Sequence, residues 1–201
     1  MRLAVCAAAA AILLTGCTSP MGVGRFTTVV LDAGHGGLDR GALAVDRRSL
    51  EKDFALDTAK RVERGLRRRG YRVVMTRKSD YFVTLPGRVA KAKRERNAVF
   101  VSIHYNSARR RAATGTETFY YNSRSYPLAA NIQRELARAT SSPNRGVKRA
   151  RYHVLRENTK PAALVELGFI SNRKELKRIR SRFYRQRLAD AVVKGIAKSS
   201  R

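Results

Sequence analysis

The chain has 201 residues, 43% of them apolar, enough for one domain with a real core, and wholesale disorder is excluded. With 43 Lys and Arg against 15 Asp and Glu, its formal net charge is +28, so an anionic partner is expected: nucleic acid, an acidic membrane or an acidic wall polymer. Two cysteines and no tryptophan leave little scope for a disulfide framework.

Met1-Arg2, the apolar run from Leu3 to Leu14 and the small residues Thr15-Gly16-Cys17 read as a secretory signal. The run is shorter than the roughly 20 residues that a membrane span needs. Leu14-Thr15-Gly16-Cys17 resembles the lipobox of bacterial lipoproteins, the plainer alternative being an ordinary signal peptide that ends near a cysteine. The resemblance implies that residues 1–16 are removed, that Cys17 carries a lipid, and that the protein is exported and anchored in the cell envelope. Export opposes a nucleic-acid partner and favours lipid headgroups or anionic envelope polymers. Residues 17–25, punctuated by Pro20, Gly22 and Gly24, form a short tether to one domain over residues 26–201.

Beyond the tether, continuous β-branched runs alternate with helical spacing. Thr27-Thr28-Val29-Val30-Leu31 reads as a buried strand. Leu50, Phe54, Ala55, Ala59, Val62 and Leu66 recur at helical spacing, with Gly70 as the stop. Tyr71 to Met75 is a second strand, Leu85, Val89 and Ala92 mark a short helix, and Ala98 to Ile103 is a third strand. Gly115 to Tyr121 alternates like a strand, Leu128, Ile132, Leu136 and Ala139 make a helix stripe, and Ala163 to Leu167 is another buried strand. A basic helical region carrying Leu176, Ile179, Leu188, Val192 and Ile196 closes the chain. This alternation predicts a single α/β domain on a mixed, mostly parallel sheet flanked by helices.

Ionisable residues sit where the buried strands end. Asp32-Ala33-Gly34-His35-Gly36-Gly37 follows the first strand, His104-Tyr105-Asn106-Ser107 follows the third, and Glu166 interrupts the last. In open α/β sheets the crevice beyond the strand C-termini is where ligands bind. Imidazole is the commonest metal ligand, and a catalytic zinc has three protein ligands and an open position, so two histidines want a third donor. Either histidine alone reads more readily as a hydrogen-bonded turn residue than as a ligand. The glycines around His35 let backbone approach a ligand, and a phosphate cradle is the competing reading, although the Lys-Ser/Thr ending of a P-loop is absent.

The stretch from Val29 through Asp32-Ala33-Gly34-His35-Gly36-Gly37 to Ala42 resembles the opening motif of the zinc-dependent N-acetylmuramoyl-L-alanine amidases. Leu50-Glu51-Lys52-Asp53 is similar to their second motif, Val101 to Ser107 to their third, Arg145 to Ala150 with Val154-Leu155-Arg156 to a further one, and Val165 to Asn172 to their last. The likeness covers residues 27 to about 197. It implies an amidase/exopeptidase-like fold, a Zn2+ cofactor held by His35, Glu51 and His104, and Glu166 as the catalytic carboxylate. Without the resemblance, Glu51 reads as a first-turn acid favoured by the helix dipole, and Glu166 as a buried partner for an arginine. Ala33 departs from a frequent proline and Tyr105 from a frequent small residue, which implies a reshaped groove beside His104. His153 matches no ligand motif and is expected at a groove edge or on the surface.

The reaction so implied is hydrolysis of the amide between N-acetylmuramic acid and L-alanine in peptidoglycan, with Glu166 moving the proton from water to the leaving amine. Asn106, Gly36 and Gly37 are expected to orient the substrate. The interval from His104 to Glu166 is expected to hold one strand, one helix and a loop, with no helical plug over the metal. A monomer is expected. The competing readings are a zinc peptidase acting on the stem peptide and a non-catalytic cationic lipoprotein that binds wall or lipid.

Overall fold

The computed structural model describes residues 22–200. The expected signal peptide, Cys17 and the first part of the expected tether lie outside the described residues. Six strands form one sheet: β1 (Thr28–Ala33), β2 (Arg72–Met75), β3 (Ala98–Asn106), β4 (Thr116–Tyr120), β5 (Asn144–Arg149) and β6 (Ala162–Phe169). Their order is β2-β1-β3-β6-β4-β5. β2, β1, β3 and β6 run parallel, β4 is antiparallel to β6, and β5 is parallel to β4. The sheet is therefore mixed and mostly parallel, as the alternation of runs predicts.

The helices are α1 (Glu51–Arg67), α2 (Leu85–Lys93), α3 (Tyr126–Ala139), α4 (His153–Arg156), α5 (Arg173–Arg180) and α6 (Arg182–Ser199). Because strand side chains alternate, each strand serves two cores. Val29, Leu31, Val101, Ile103, Val165 and Leu167 pack with Val62 and Leu66 of α1, Leu128 and Ile132 of α3, and Leu188 and Val192 of α6. On the other face Val30, Phe100 and Leu164 pack with the helix residues Ala92 of α2 and Val154 and Leu155 of α4, and with the partly buried Val74, Phe119 and Tyr121. Since α4 is barely one turn, this second face is thinly covered and stays open near the strand ends.

The same alternation corrects the reading of Tyr105. Its neighbour His104 lies on the open face, so Tyr105 lies on the helix-covered one, 1% exposed. Its hydroxyl shares a hydrogen bond with Thr58 Oγ1 at 2.8 Å and its ring packs on Phe54. The Tyr105 ring is thus packed in the core, although the residue also borders the cavity beside His104.

The interval between His104 and Glu166 is also richer than the expected strand, helix and loop. It holds β4, β5, a short 3-10 turn, α3 and α4. Its long helix, α3, packs on α6 behind the sheet, on the face away from His104 and Glu166. The basic C-terminal region divides at Ser181 into α5 and α6.

Candidate metal centre

β1, β3 and α1 bring three donors to one point. His35 follows β1, His104 lies near the end of β3, and Glu51 is the first residue of α1. Glu51 Oε1 lies 3.0 Å from His35 Nε2 and 2.8 Å from His104 Nδ1. The two rings meet edge to face at 4.9 Å, and one donor atom from each of the three residues falls within 4.8 Å of the others. A carboxylate and two imidazoles form a donor set that suits zinc.

Two of the three donors, His35 and Glu51, are held from behind. His35 Nδ1 hydrogen-bonds Asp39 Oδ1 at 2.8 Å, and the same oxygen accepts from Gly41 N. A proton donated to Asp39 leaves His35 Nε2 as the lone-pair nitrogen facing the centre. Glu51 Oε2 accepts from Ala42 N at 2.9 Å, while Tyr105 N donates to Oε1. Burial opposes the charge on Glu51, but hydrogen bonds from His104 and then His35 outweigh it and hold the carboxyl well below its usual range. Burial likewise opposes a charged His35, and Glu51 followed by Asp39 reverses that, raising its pKa. Gly34 is required for space, because a Cβ there would lie 2.2–2.6 Å from the His104 ring.

Two buried arginines fix the loop that carries His35. Arg77 donates to the carbonyls of Ala33, Gly34 and Lys52, tying the end of β1 to the first turn of α1. Arg88 donates to Asp32 Oδ1 at 2.6 Å and to the carbonyls of Ala33 and His35. Asp32 also accepts from Thr76 and Ser102, each at 2.6 Å. Burial alone would raise the Asp32 pKa, but Arg88, Ser102 and Thr76 bring it below its ordinary value.

Glu166 stands apart from this pattern of paired acids. It is the register partner of His104 on β3 and of Glu117 on β4. Glu117 is neutralised by Arg145 and Lys148 and accepts from Asn106 Nδ2. Glu166 has no such cation, and its buried Oε2 has no hydrogen-bond partner among the described residues. Burial, reinforced by Glu51 and Glu117, pushes its carboxyl well above the ordinary range. The arginine partner expected as the alternative for Glu166 is found on Asp32 and Glu117 instead.

His35, Glu51, His104 and Glu166 all line one cavity of about 560 Å³. Asn106 and His153 line it too, as do Phe82, Leu85 and Tyr152. Gly36 and Gly37 do not: Gly36 N donates to Asp39 O, and Gly37 N donates to Asp80 Oδ1. Their N–H groups build the loop and are not free for substrate. Asp39, Glu117 and the Asp32–Arg88 pair are participants that the sequence reading did not single out. Asp39 had a signal, an acid four residues after His35, whereas the place of Glu117 depends on strand order.

An α/β domain that gathers two histidines and one carboxylate at its strand ends has the donor arrangement of a candidate metal site. Comparison with known proteins narrows it. Residues 29–198 match the Amidase_3 family model, described as N-acetylmuramoyl-L-alanine amidase. The chain is 37% identical over 170 residues to the probable cell wall amidase LytH of Staphylococcus aureus, covering 84% of this chain and 57% of that protein. It is 41% identical over 173 residues to the uncharacterized protein YqiI of Bacillus subtilis (strain 168), covering 84% of this chain and 82% of that one. The catalytic domain of CwlV, an N-acetylmuramoyl-L-alanine amidase from Bacillus (Paenibacillus) polymyxa var. colistinus, superposes with a TM-score of 0.83 at 40% identity, over 86% of this chain and 97% of that one. The amidase AmiC2 of Nostoc punctiforme gives a TM-score of 0.82 at 40% identity, over 89% and 97%. The chain belongs to the N-acetylmuramoyl-L-alanine amidase family.

Proposed function

We propose that the protein is a zinc-dependent peptidoglycan hydrolase that cleaves the amide between N-acetylmuramic acid and the L-alanine of the stem peptide. The observation that carries this reading is the unpartnered Glu166 Oε2 in the same cavity as the His35–Glu51–His104 donor set, in a chain of this family. His35, Glu51 and His104 are the residues that would hold the ion. Bound there, zinc lowers the pKa of water towards about 7 and polarises the substrate carbonyl.

Glu166 supplies the proton transfer. Its carboxylate accepts a proton from the attacking water and returns it to the amine nitrogen as the C–N bond breaks, giving a lactyl carboxylate and a free L-alanine amine. A raised pKa suits a group that must hold that proton between the two steps. Asn106 lines the cavity, and one proton of its amide is committed to Glu117, leaving the other to orient substrate. Asp39 keeps His35 in the tautomer that binds metal.

Digestion of purified peptidoglycan tests the reaction. Intact stem peptides with a free L-alanine amine, recovered by mass spectrometry, are the expected product; peptides shortened within the stem would support the zinc-peptidase reading instead. We further propose that the protein is held in the envelope by a lipid at Cys17, a reading that the Leu14-Thr15-Gly16-Cys17 sequence supports. Cys17→Ala should then move the protein out of the detergent phase, and an unchanged partition would remove the anchor from this account.

A further inference from the structure

The catalytic cavity adjoins a row of cationic cavities, which together form a concave path. Ser107 lines the catalytic cavity and also a smaller cavity bounded by Arg47, Arg109 and Arg111. Val45, Arg47 and Arg111 in turn line a third cavity of about 660 Å³, bounded on its far side by Arg173, Lys177 and Arg180 of α5. The path therefore runs from the metal centre over the strand ends to α5.

Its floor is built from three loops held together by hydrogen bonds. Val45 N donates to Ile170 O at 3.0 Å, Ala108 N to Ser171 Oγ at 3.0 Å, and Asn172 Nδ2 to Arg111 O at 2.8 Å. The charges on this floor are left unbalanced. Among the described residues, Arg47, Arg109, Arg111, Arg173 and Lys177 are exposed and make no ion pair with an acid. Asp46 is the acid that lines the path; its carboxylate accepts from Arg48 N, Ser49 N and Ser49 Oγ and lies 3.6 Å from Arg180. Five unpaired cations on one fixed floor repel one another, and an anionic ligand relieves that repulsion.

The catalytic cavity itself has a different character. Phe82, Val83, Leu85, Tyr152, Val154 and Leu164 line it, and Arg88, the cation among its lining residues, is buried on Asp32. The metal centre thus stands between an apolar arm and a cationic arm. The bond assigned to this enzyme joins two parts that differ in the same way: an acetylated sugar, and a peptide with carboxylates at its C-terminus and on its acidic residues.

We propose that Arg47, Arg109, Arg111, Arg173 and Lys177 form the subsite for the carboxylates of the stem peptide, so that the peptide lies toward α5 and the sugar toward Phe82 and Tyr152. This rests on the amidase reading above. Guanidinium groups pair with carboxylates in two-point geometry, and a floor of several suits a peptide with more than one free carboxylate. A bilayer is a poor occupant, because a flat surface does not enter a concave path that leads to the catalytic cavity.

The test compares two synthetic muramyl peptides, one with free carboxylates and one with the same carboxylates amidated. Wild type should prefer the free form by about tenfold or more in kcat/KM, through KM. In an Arg111→Gln/Arg173→Gln/Lys177→Gln variant that preference should fall toward one. Calorimetric titration with the sugar-free stem peptide, on metal-free protein, should show binding weakened about tenfold by the same variant. An unchanged preference and unchanged peptide binding, with cleavage intact, would overturn the subsite and leave the amidase reading standing. Weakened peptide binding in a protein that cleaves neither substrate would do the reverse. If the variant loses affinity only for a phosphodiester wall polymer, the path serves that polymer and the proposal fails.

Discussion

His104 and Glu166 are register partners on adjacent parallel strands, β3 and β6. One strand spacing, about 4.8 Å, therefore separates their backbones, and both side chains project from the same open face. The β3–β6 register shifts immediately after this pair, between His104 and Asn106, so the ladder breaks where the site begins. A candidate metal donor and an acid without a partner among the described residues are thus fixed side by side by the sheet itself, while α1 supplies Glu51 and a loop supplies His35.

That support has a measurable weight. Asp39 accepts from His35 Nδ1 at 2.8 Å, and among the described residues it makes no hydrogen bond to Glu51 or His104. Asp39→Asn should weaken zinc affinity by about 10–100-fold while leaving the far-ultraviolet spectrum unchanged. Competition against a chromogenic chelator measures the affinity; an unaltered value would show that Asp39 does not orient His35.

Arg88 carries a stability prediction. The Arg88 and Asp32 side chains are both nearly inaccessible, at 3% and 1%. Arg88→Met leaves Asp32 buried without its cation and should cost about 3–5 kcal/mol in urea denaturation at pH 7. The folded pKa of Asp32 is depressed, so its contribution is present above the unfolded value of about 4 and is lost as pH falls through the lower folded value. The difference between wild type and variant should therefore narrow in acid. A cost below about 1 kcal/mol would show that the pair does not hold the loop.

Glu166 has the opposite sign. Its folded pKa is raised, so the folded protein keeps a proton that the unfolded chain releases above about 4. Metal-free wild type should lose stability as pH rises from there toward the folded value, whereas Glu166→Gln has no such proton to lose. The metal-free variant should melt at the same temperature as wild type near pH 4 and higher at pH 7, by about 2–4 °C for each kcal/mol regained. Equal midpoints at pH 7 would mean that Glu166 is not destabilised by its burial.

The sequence reveals most of this arrangement, and the gaps have physical causes. Buried parallel strands such as Val29–Leu31 and Val99–Ile103 announce themselves because both faces are apolar. β5, with the sequence Asn-Arg-Gly-Val-Lys-Arg, does not, because it is an edge strand held by its backbone pairing to β4. α4 is too short to show a period. His35, His104 and Glu166 stand out as ionisable groups at the ends of apolar runs. Glu51 stands out only through family likeness, because a first-turn acid is what the helix dipole alone would favour. Glu117 could not be linked to Glu166 without the antiparallel pairing of β4 and β6. The ring of Tyr105 was misplaced because adjacency in sequence to His104 means opposite faces in a strand.

The central claim separates two carboxylates: Glu51 holds the metal and Glu166 moves the proton. The most direct test is zinc content by elemental analysis, measured beside glycan–peptide cleavage, for wild type, Glu166→Gln and Glu51→Ala. Glu166→Gln should keep close to one zinc per chain while cleavage falls by about 10²–10⁴-fold. Glu51→Ala should lose most of its zinc together with its activity, because two imidazoles remain of the three donors. An active Glu166→Gln, or a Glu51→Ala that retains full zinc, would contradict the account.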